Sequence, residues 1–348
     1  MTFDYTFEYT SDEVYVAYTV PYSYSQVQTH LEFLKGLDDE NRFNLFRVES
    51  AGTSRGGVDV PIIKITGKEK SKRQKPVIVV ISRQHPGETH ASFVVHGLIN
   101  YLLSKDFTAN KLRKEFEWWI FPCVNPDGVI IGNYRANTQG KDMNRHFFSS
   151  ADTSVKDEDR CPEVELLRTY LQENLPEDPM KFRMFLDMHG HATKASIFAF
   201  APLDPDENLA GYIKEFTEIL DDTSAFFSYD NCEFSSEKLQ KYKKNCARYC
   251  MYRDRGVLNS FTIEASSFGY EVINGEDAEI KPFKEFHLMM FGKELAYGVA
   301  KHLEAEPTER DLAEMVYGYN IDLDYGLYTK KTKEMRSRER KRQKELER

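Results

Sequence analysis

The sequence predicts an α/β fold: a mixed, mostly parallel central sheet flanked by helices. Three observations predict it. Apolar runs of strand length, such as residues 75–82 and 182–188, alternate along the chain with segments of helix length. Residues able to do chemistry follow the ends of those runs, which is where α/β sheets bind ligands. The 348 residues are 41% apolar and include 24 Phe and 20 Tyr, enough to fill one large core on both faces of such a sheet.

The elements follow in order. Residues 3–20 alternate apolar and polar side chains with a period of two, which predicts strands. Residues 22–37 predict a helix, 75–82 a buried strand, 91–103 an apolar-rich helix and 115–121 a strand. Residues 163–172 predict a helix, 182–188 and 196–200 strands, and 208–220 and 245–253 helices. Residues 260–263 predict a strand and 283–303 a long helix. No internal repeat or low-complexity linker interrupts this alternation.

Charge and cysteine usage exclude several function classes. The net charge is −9, yet residues 329–348 carry ten Lys or Arg against four Glu, a net +6 that leaves −15 on the rest. An acidic body argues against a nucleic-acid enzyme, which concentrates positive charge on its fold. The basic tail lacks apolar periodicity and reads as a solvated helix or a disordered end, the alternative being an arm for an acidic partner. The first residues lack a basic start followed by an apolar run, so no signal peptide is expected. No stretch approaches the ~20 apolar residues of a membrane helix. Five cysteines without close pairing point to a reducing cytoplasm, and Cys246 and Cys250 read as buried thiols on one helix face.

His85 and Glu88 stand in RQHPGETHA, directly after the strand 75–82. Pro86 and Gly87 force a turn that can aim an imidazole and a carboxylate at one point. Catalytic zinc takes three nitrogen or oxygen ligands and keeps one position open. His189, closing the strand FRMFLDM, is the candidate third ligand, with Asp187 and His191 as alternatives. Glu264 ends the strand 260–263. A carboxylate there is costly to bury unless it is partnered or used, and beside zinc it could take a proton from the attacking water. The segment 125–145 holds a Pro-Asp-Gly turn, Arg135, and Asn144 beside Arg145. An enzyme that removes C-terminal residues must grip a carboxylate and steady an oxyanion. Asn144 with Arg145 suits the first task and Arg135 the second.

HPGE, NPDGV, GNYR, KDMNR, DMHGH and NSFTIEASSFG resemble, in that order, the signatures of the zinc metallocarboxypeptidase superfamily, and most closely its cytosolic carboxypeptidase branch. The resemblance runs from about residue 12 to about residue 303. It implies His85, Glu88 and His189 as ligands of one Zn²⁺, Arg135 as the oxyanion arginine, Asn144 and Arg145 as the carboxylate clamp, and Glu264 as the base. Asp142 matches the aspartate that orients the first zinc histidine. The branch removes glutamate from protein C-termini and side chains, above all on tubulin, and places a basic residue in the pocket for the departing side chain. Arg248, sixteen residues before Glu264, stands at the matching place.

The resemblance implies an organisation as well. Residues 1–40 read as the remnant of an N-terminal β domain with a linking helix, 41–305 as the catalytic domain and 306–348 as a charged extension. It implies acidic protein tails such as polyglutamylated tubulin as partners, no nucleic acid or membrane, a monomer, and a cytoplasmic place near microtubules or cilia. A mobile tyrosine over the substrate belongs to the superfamily pattern; Tyr242 lies in a plausible stretch but is not assigned that role. Two other functions share parts of the site. An amidohydrolase of N-acyl amino acids would keep the ligands and base but not the clamp and basic pocket. A non-catalytic binding module would have lost a ligand or the base, and all are present.

Overall fold

The computed structural model describes residues 4–39, 45–67, 74–148, 154–176, 178–235, 244–274 and 277–305. The expected C-terminal extension, together with Tyr242, lies outside them.

The chain enters through α1 (Tyr24–Asp39) and continues as the hairpin β1 (Phe46–Thr53) and β2 (Asp59–Ile65). It then alternates: β3 (Val77–Ser82), α2 (His90–Leu102), α3 (Phe107–Glu115), β4 (Glu117–Phe121) and the short α4 (Pro126–Ile130). Next come α5 (Pro162–Asn174), β5 (Phe182–His191), β6 (Ile197–Pro202), α6 (Glu207–Thr223) and β7 (Glu233–Ser235). The last elements are α7 (Ala247–Arg255), β8 (Ser260–Ser266), a second hairpin of β9 (Tyr270–Asn274) and β10 (Asp277–Lys281), and α8 (Glu285–His302).

Eight strands form one sheet in the order β1-β2-β4-β3-β5-β8-β6-β7. Its centre, β4-β3-β5-β8, is parallel. The sheet is covered on both faces, and β3 shows why the run VIVVI is apolar throughout. Ile78 and Val80 point into the core shared with α2, α6 and α8, while Val77, Val79 and Ile81 point into the core under α5 and α7. Helices α2 and α8 meet through glycines. A Cβ on Gly97 would fall 2.1 Å from the Met289 carbonyl oxygen, and one on Gly292 2.2 Å from that of Val94. Any larger residue would separate the two helices.

The mixed, mostly parallel sheet matches the expectation, and Cys246 and Cys250 are buried as expected. The strands expected at 3–20 are a correction: residues 4–20 form no strand. A period of two yields a strand only where a neighbouring edge accepts its backbone hydrogen bonds, and this segment pairs with none of the described strands. Tyr15 and Val16 are left 83% and 75% exposed. The segment is instead tied down near its end. The Thr89 hydroxyl donates to the Val20 carbonyl at 2.8 Å, and Tyr18 packs edge-on against Tyr134.

Candidate metal and substrate site

The ends of the parallel strands build the site. After β3, Arg83 adopts a left-handed conformation (φ 63°) that turns the chain out of the sheet. Its buried guanidinium then donates to the carbonyls of Pro86 and Tyr22 and to the Ser92 hydroxyl. These bonds pin the His85–Glu88 turn. Gly87 is obligatory there: its N–H donates to the Tyr134 carbonyl at 2.7 Å, and a Cβ would collide with Tyr134. The neighbouring Asn125 caps α4 by accepting from the Gly128 N–H, and its amide donates to the Gln84 carbonyl.

On β5 and β8 the register does the rest. Asp187 pairs with Thr262, and His189 with Glu264. Residues two apart share a face of the sheet, so all four side chains stand on one face of these adjoining strands. Beyond β8, Phe198 and Phe200 of β6 pair with Glu264 and Thr262 and extend the same face.

His85, Glu88 and His189 converge, all three buried, with one ligand atom from each lying within 4.8 Å of the others. Nδ1 of His85 is 2.7 Å and Nδ1 of His189 2.8 Å from the Glu88 carboxylate, and the two Nδ1 atoms are 3.1 Å apart. The opposite nitrogens are already engaged. Nε2 of His85 lies 2.9 Å from Asp142 Oδ1, and Nε2 of His189 lies 2.9 Å from Asp187 Oδ1. A carboxylate only accepts, so each Nε2 facing Asp142 or Asp187 carries a hydrogen. Each Nδ1 faces Glu88 and would offer its lone pair once a cation took the place of the proton between them, so two imidazole nitrogens and a carboxylate face one another, an arrangement that a cation satisfies. Two imidazoles and a carboxylate are zinc chemistry.

The electrostatics agree. Burial alone would hold the imidazoles neutral, but the neighbouring carboxylates outweigh it and raise the affinity of both for positive charge. Burial likewise works against the Glu88 charge, and the facing histidines overcome it and hold the carboxyl well below the usual range. Glu264 behaves oppositely. Burial dominates and, with the nearby Glu88 adding, pushes its carboxyl up to about 7, against the pull of His189. That places it near the value at which a carboxylate exchanges protons most effectively at neutral pH.

Arg135, Asn144 and Arg145 come from the loop between α4 and α5. Arg135 grips Asp142, with Nη2 2.7 Å from Oδ2, and its Nη1 lies 4.0 Å from Glu88. Asn144 is buried with its amide turned inward. Its Nδ2 lies 3.2 Å from Asp187 Oδ2 and 3.1 Å from His189 Nε2, and its Oδ1 accepts the Ala247 N–H. Arg145 is partly exposed and donates one Nη1–H to the Asn144 carbonyl. Arg248, on α7, is 3% exposed; it donates to Thr262 Oγ1 at 3.2 Å and lies against the rings of Phe200 and Tyr249.

All the expected site residues therefore lie in one region. Of the alternatives to His189, Asp187 is fully buried and holds that histidine from behind, while also accepting both contacts of the Gln84 amide. His191 packs on Phe198 instead. Arg83 and Gln84 were missed in the sequence. Their only signal was two polar residues between an apolar strand and the HPGE turn.

Comparison with known proteins follows the same line. The sequence pattern of the zinc carboxypeptidase family matches residues 31–289. Cytosolic carboxypeptidase 1 of Xenopus laevis is 31% identical over 80% of this chain and 24% of its own length. Cytosolic carboxypeptidase 2 of Homo sapiens is 30% identical over 80% of this chain and 30% of its own. The chain thus spans roughly a quarter of the length of the curated relatives it matches. Among solved structures, a metallo-carboxypeptidase from Burkholderia cenocepacia superposes with a TM-score of 0.67 at 22% identity, covering 82% of this chain and 70% of that one. That likeness speaks for the fold.

Proposed function

The chain belongs to the zinc carboxypeptidase family, and from that premise we propose that it is a zinc-dependent carboxypeptidase that removes glutamate from the ends or side chains of proteins. The observation that carries the hydrolytic reading is the His85–Glu88–His189 cluster with Glu264 paired to His189 on the next strand. Zinc, when bound by those three residues, supplies Lewis-acid polarisation of the scissile carbonyl and of the attacking water. Glu264 takes the proton from that water and passes it to the departing amine. Arg135, held by Asp142, offers its guanidinium to the developing oxyanion. Arg145 grips the substrate carboxylate. Asn144, whose Nδ2 donates to Asp187 and whose Oδ1 accepts from the Ala247 N–H, stands beside it as the other half of the clamp.

Glutamate as the departing residue is supported by Arg248. It bonds Thr262, which stands two residues before Glu264 on the same face of β8, about 7 Å along the strand. A buried cation bonded to the same face of β8 as the base supports a departing residue with an acidic side chain. The acidic body of the protein repels glutamate-rich tails at long range, so a local cation is needed to hold one. Such tails, with polyglutamylated tubulin as the case implied by the resemblance, are the substrate class we assign.

The test is specificity. Arg248→Ala is expected to weaken cleavage of Glu-ending peptides by about 2–4 kcal/mol in transition-state terms, the scale of one lost buried charge partner. Leu-ending peptides should change little. An equal ratio of kcat/KM for the two peptides in wild type and variant would remove Arg248 from specificity.

A further inference from the structure

The loop that presents Arg135, Asp142, Asn144 and Arg145 has almost no regular structure of its own, being one turn of 3₁₀ helix at Met143–Arg145. Catalytic groups on such a loop need an anchor to keep their geometry. Asn137 is 1% exposed and sits between Arg135 and Asp142. Its Oδ1 accepts the N–H groups of Gln139 and Lys141, both at 3.0 Å, and its backbone N–H donates to the Lys141 carbonyl. These three bonds close residues 137–141 into a fixed arc. The same side chain then reaches out of the loop. Nδ2 donates to Glu163 Oε2 at 2.8 Å and contacts Cys161 Sγ at 3.3 Å.

Glu163 is itself 1% exposed and lies in the first turn of α5, whose partial positive end favours a carboxylate. Helix α5 is bolted to the sheet through Val164, Leu167 and Leu171. A second tie runs parallel: the Lys141 ammonium donates to the Arg160 carbonyl at 2.7 Å and also to that of Glu158. A continuous path therefore runs from α5 through Glu163, Asn137 and the arc to Asp142, and from Asp142 to His85 and Arg135.

We infer that Asn137 and Glu163 are positioning residues for the reaction, their buried hydrogen bond setting where the oxyanion arginine and the carboxylate clamp stand. This rests on the carboxypeptidase reading above. Neither residue touches substrate or the metal cluster, so their effect is transmitted through the loop.

The test reverses the hydrogen bond. Asn137→Asp sets two carboxylates face to face in a dry site, which they tolerate poorly. Adding Glu163→Gln restores a donor opposite an acceptor with the roles exchanged. Asn137→Asp is expected to raise KM for free-acid peptides and lower kcat/KM by about 10- to 100-fold, the usual cost of losing an outer support of a site. The double variant should recover most of that, with zinc content constant throughout. A loss of folded fraction would lower apparent kcat at unchanged KM, so the KM rise separates positioning from mere stability. An unchanged KM in Asn137→Asp, or no recovery in the double variant, overturns the inference. Should Asn137→Asp not fold, Asn137→Ala replaces it under the same criterion. Deuterium exchange at the Gln139 and Lys141 amides serves as a readout independent of turnover. If wild type cleaves nothing, faster exchange in Asn137→Asp that is reversed in the double variant keeps the anchor and discards only the carboxypeptidase reading. Equal exchange overturns the anchor.

Discussion

Glu264→Gln is expected to abolish nearly all turnover while leaving zinc in place. The substitution preserves size and planarity, so the β5–β8 register that sets position 264 beside His189 is undisturbed. It removes the basic oxygen, and an amide cannot take the water's proton. General-base removal costs about 10²–10⁴-fold in kcat, and the upper part of that range applies, because the same group also returns the proton to the leaving amine. Glu264 is suited to both tasks by burial, which lifts its carboxyl to about 7 and leaves it able to hold and release a proton near neutrality. Zinc content and the melting temperature should stay near those of wild type. Turnover within tenfold of wild type would mean that another group is the base.

The second large effect is loss of the metal. His85→Ala, Glu88→Ala and His189→Ala should each remove bound zinc and activity together, because a set of two imidazoles and one carboxylate has no spare ligand. Asp187 does not substitute, since it is committed to Gln84 and to the far nitrogen of His189. A thermal readout follows by linkage. Zinc bound only by the native state raises the melting temperature of wild type by mass action, and the three variants should show no such rise. Stoichiometric zinc in a His85→Ala, His189→Ala double variant would show that the ligands lie elsewhere.

The parts of this site legible in the sequence share one property: each is announced by local pattern. VIVVIS and FRMFLDM are apolar runs with a chemical residue at the end, so His85, Glu88 and His189 could be assigned to strand ends. Glu264 could be placed for the same reason. What was illegible depends on contacts distant in sequence. Residues 4–20 alternate like a strand, but alternation says nothing about whether an edge is available to pair with. The hairpin of β1 and β2 was not singled out, because FRVESAGT carries polar residues on both faces and only Phe46 of it is buried. The inward turn of Asn144 depends on Asp187, 43 residues away, and the anchor of Asn137 on Glu163, 26 residues away. Arg83 and Gln84 were not singled out in the sequence and prove to be the buried braces of the metal turn.

One comparison bears most directly on the central claim. Two peptides of identical sequence, one with a free C-terminal carboxylate and one amidated, are incubated with the purified zinc-loaded chain, with and without a chelator, and the products are weighed by mass spectrometry. The clamp and the metal site together require that the free-acid peptide lose residues one at a time from its C-terminus, that the amide remain intact, and that the chelator stop the reaction. Equal cleavage of both peptides, or cleavage that survives chelation, would contradict the account.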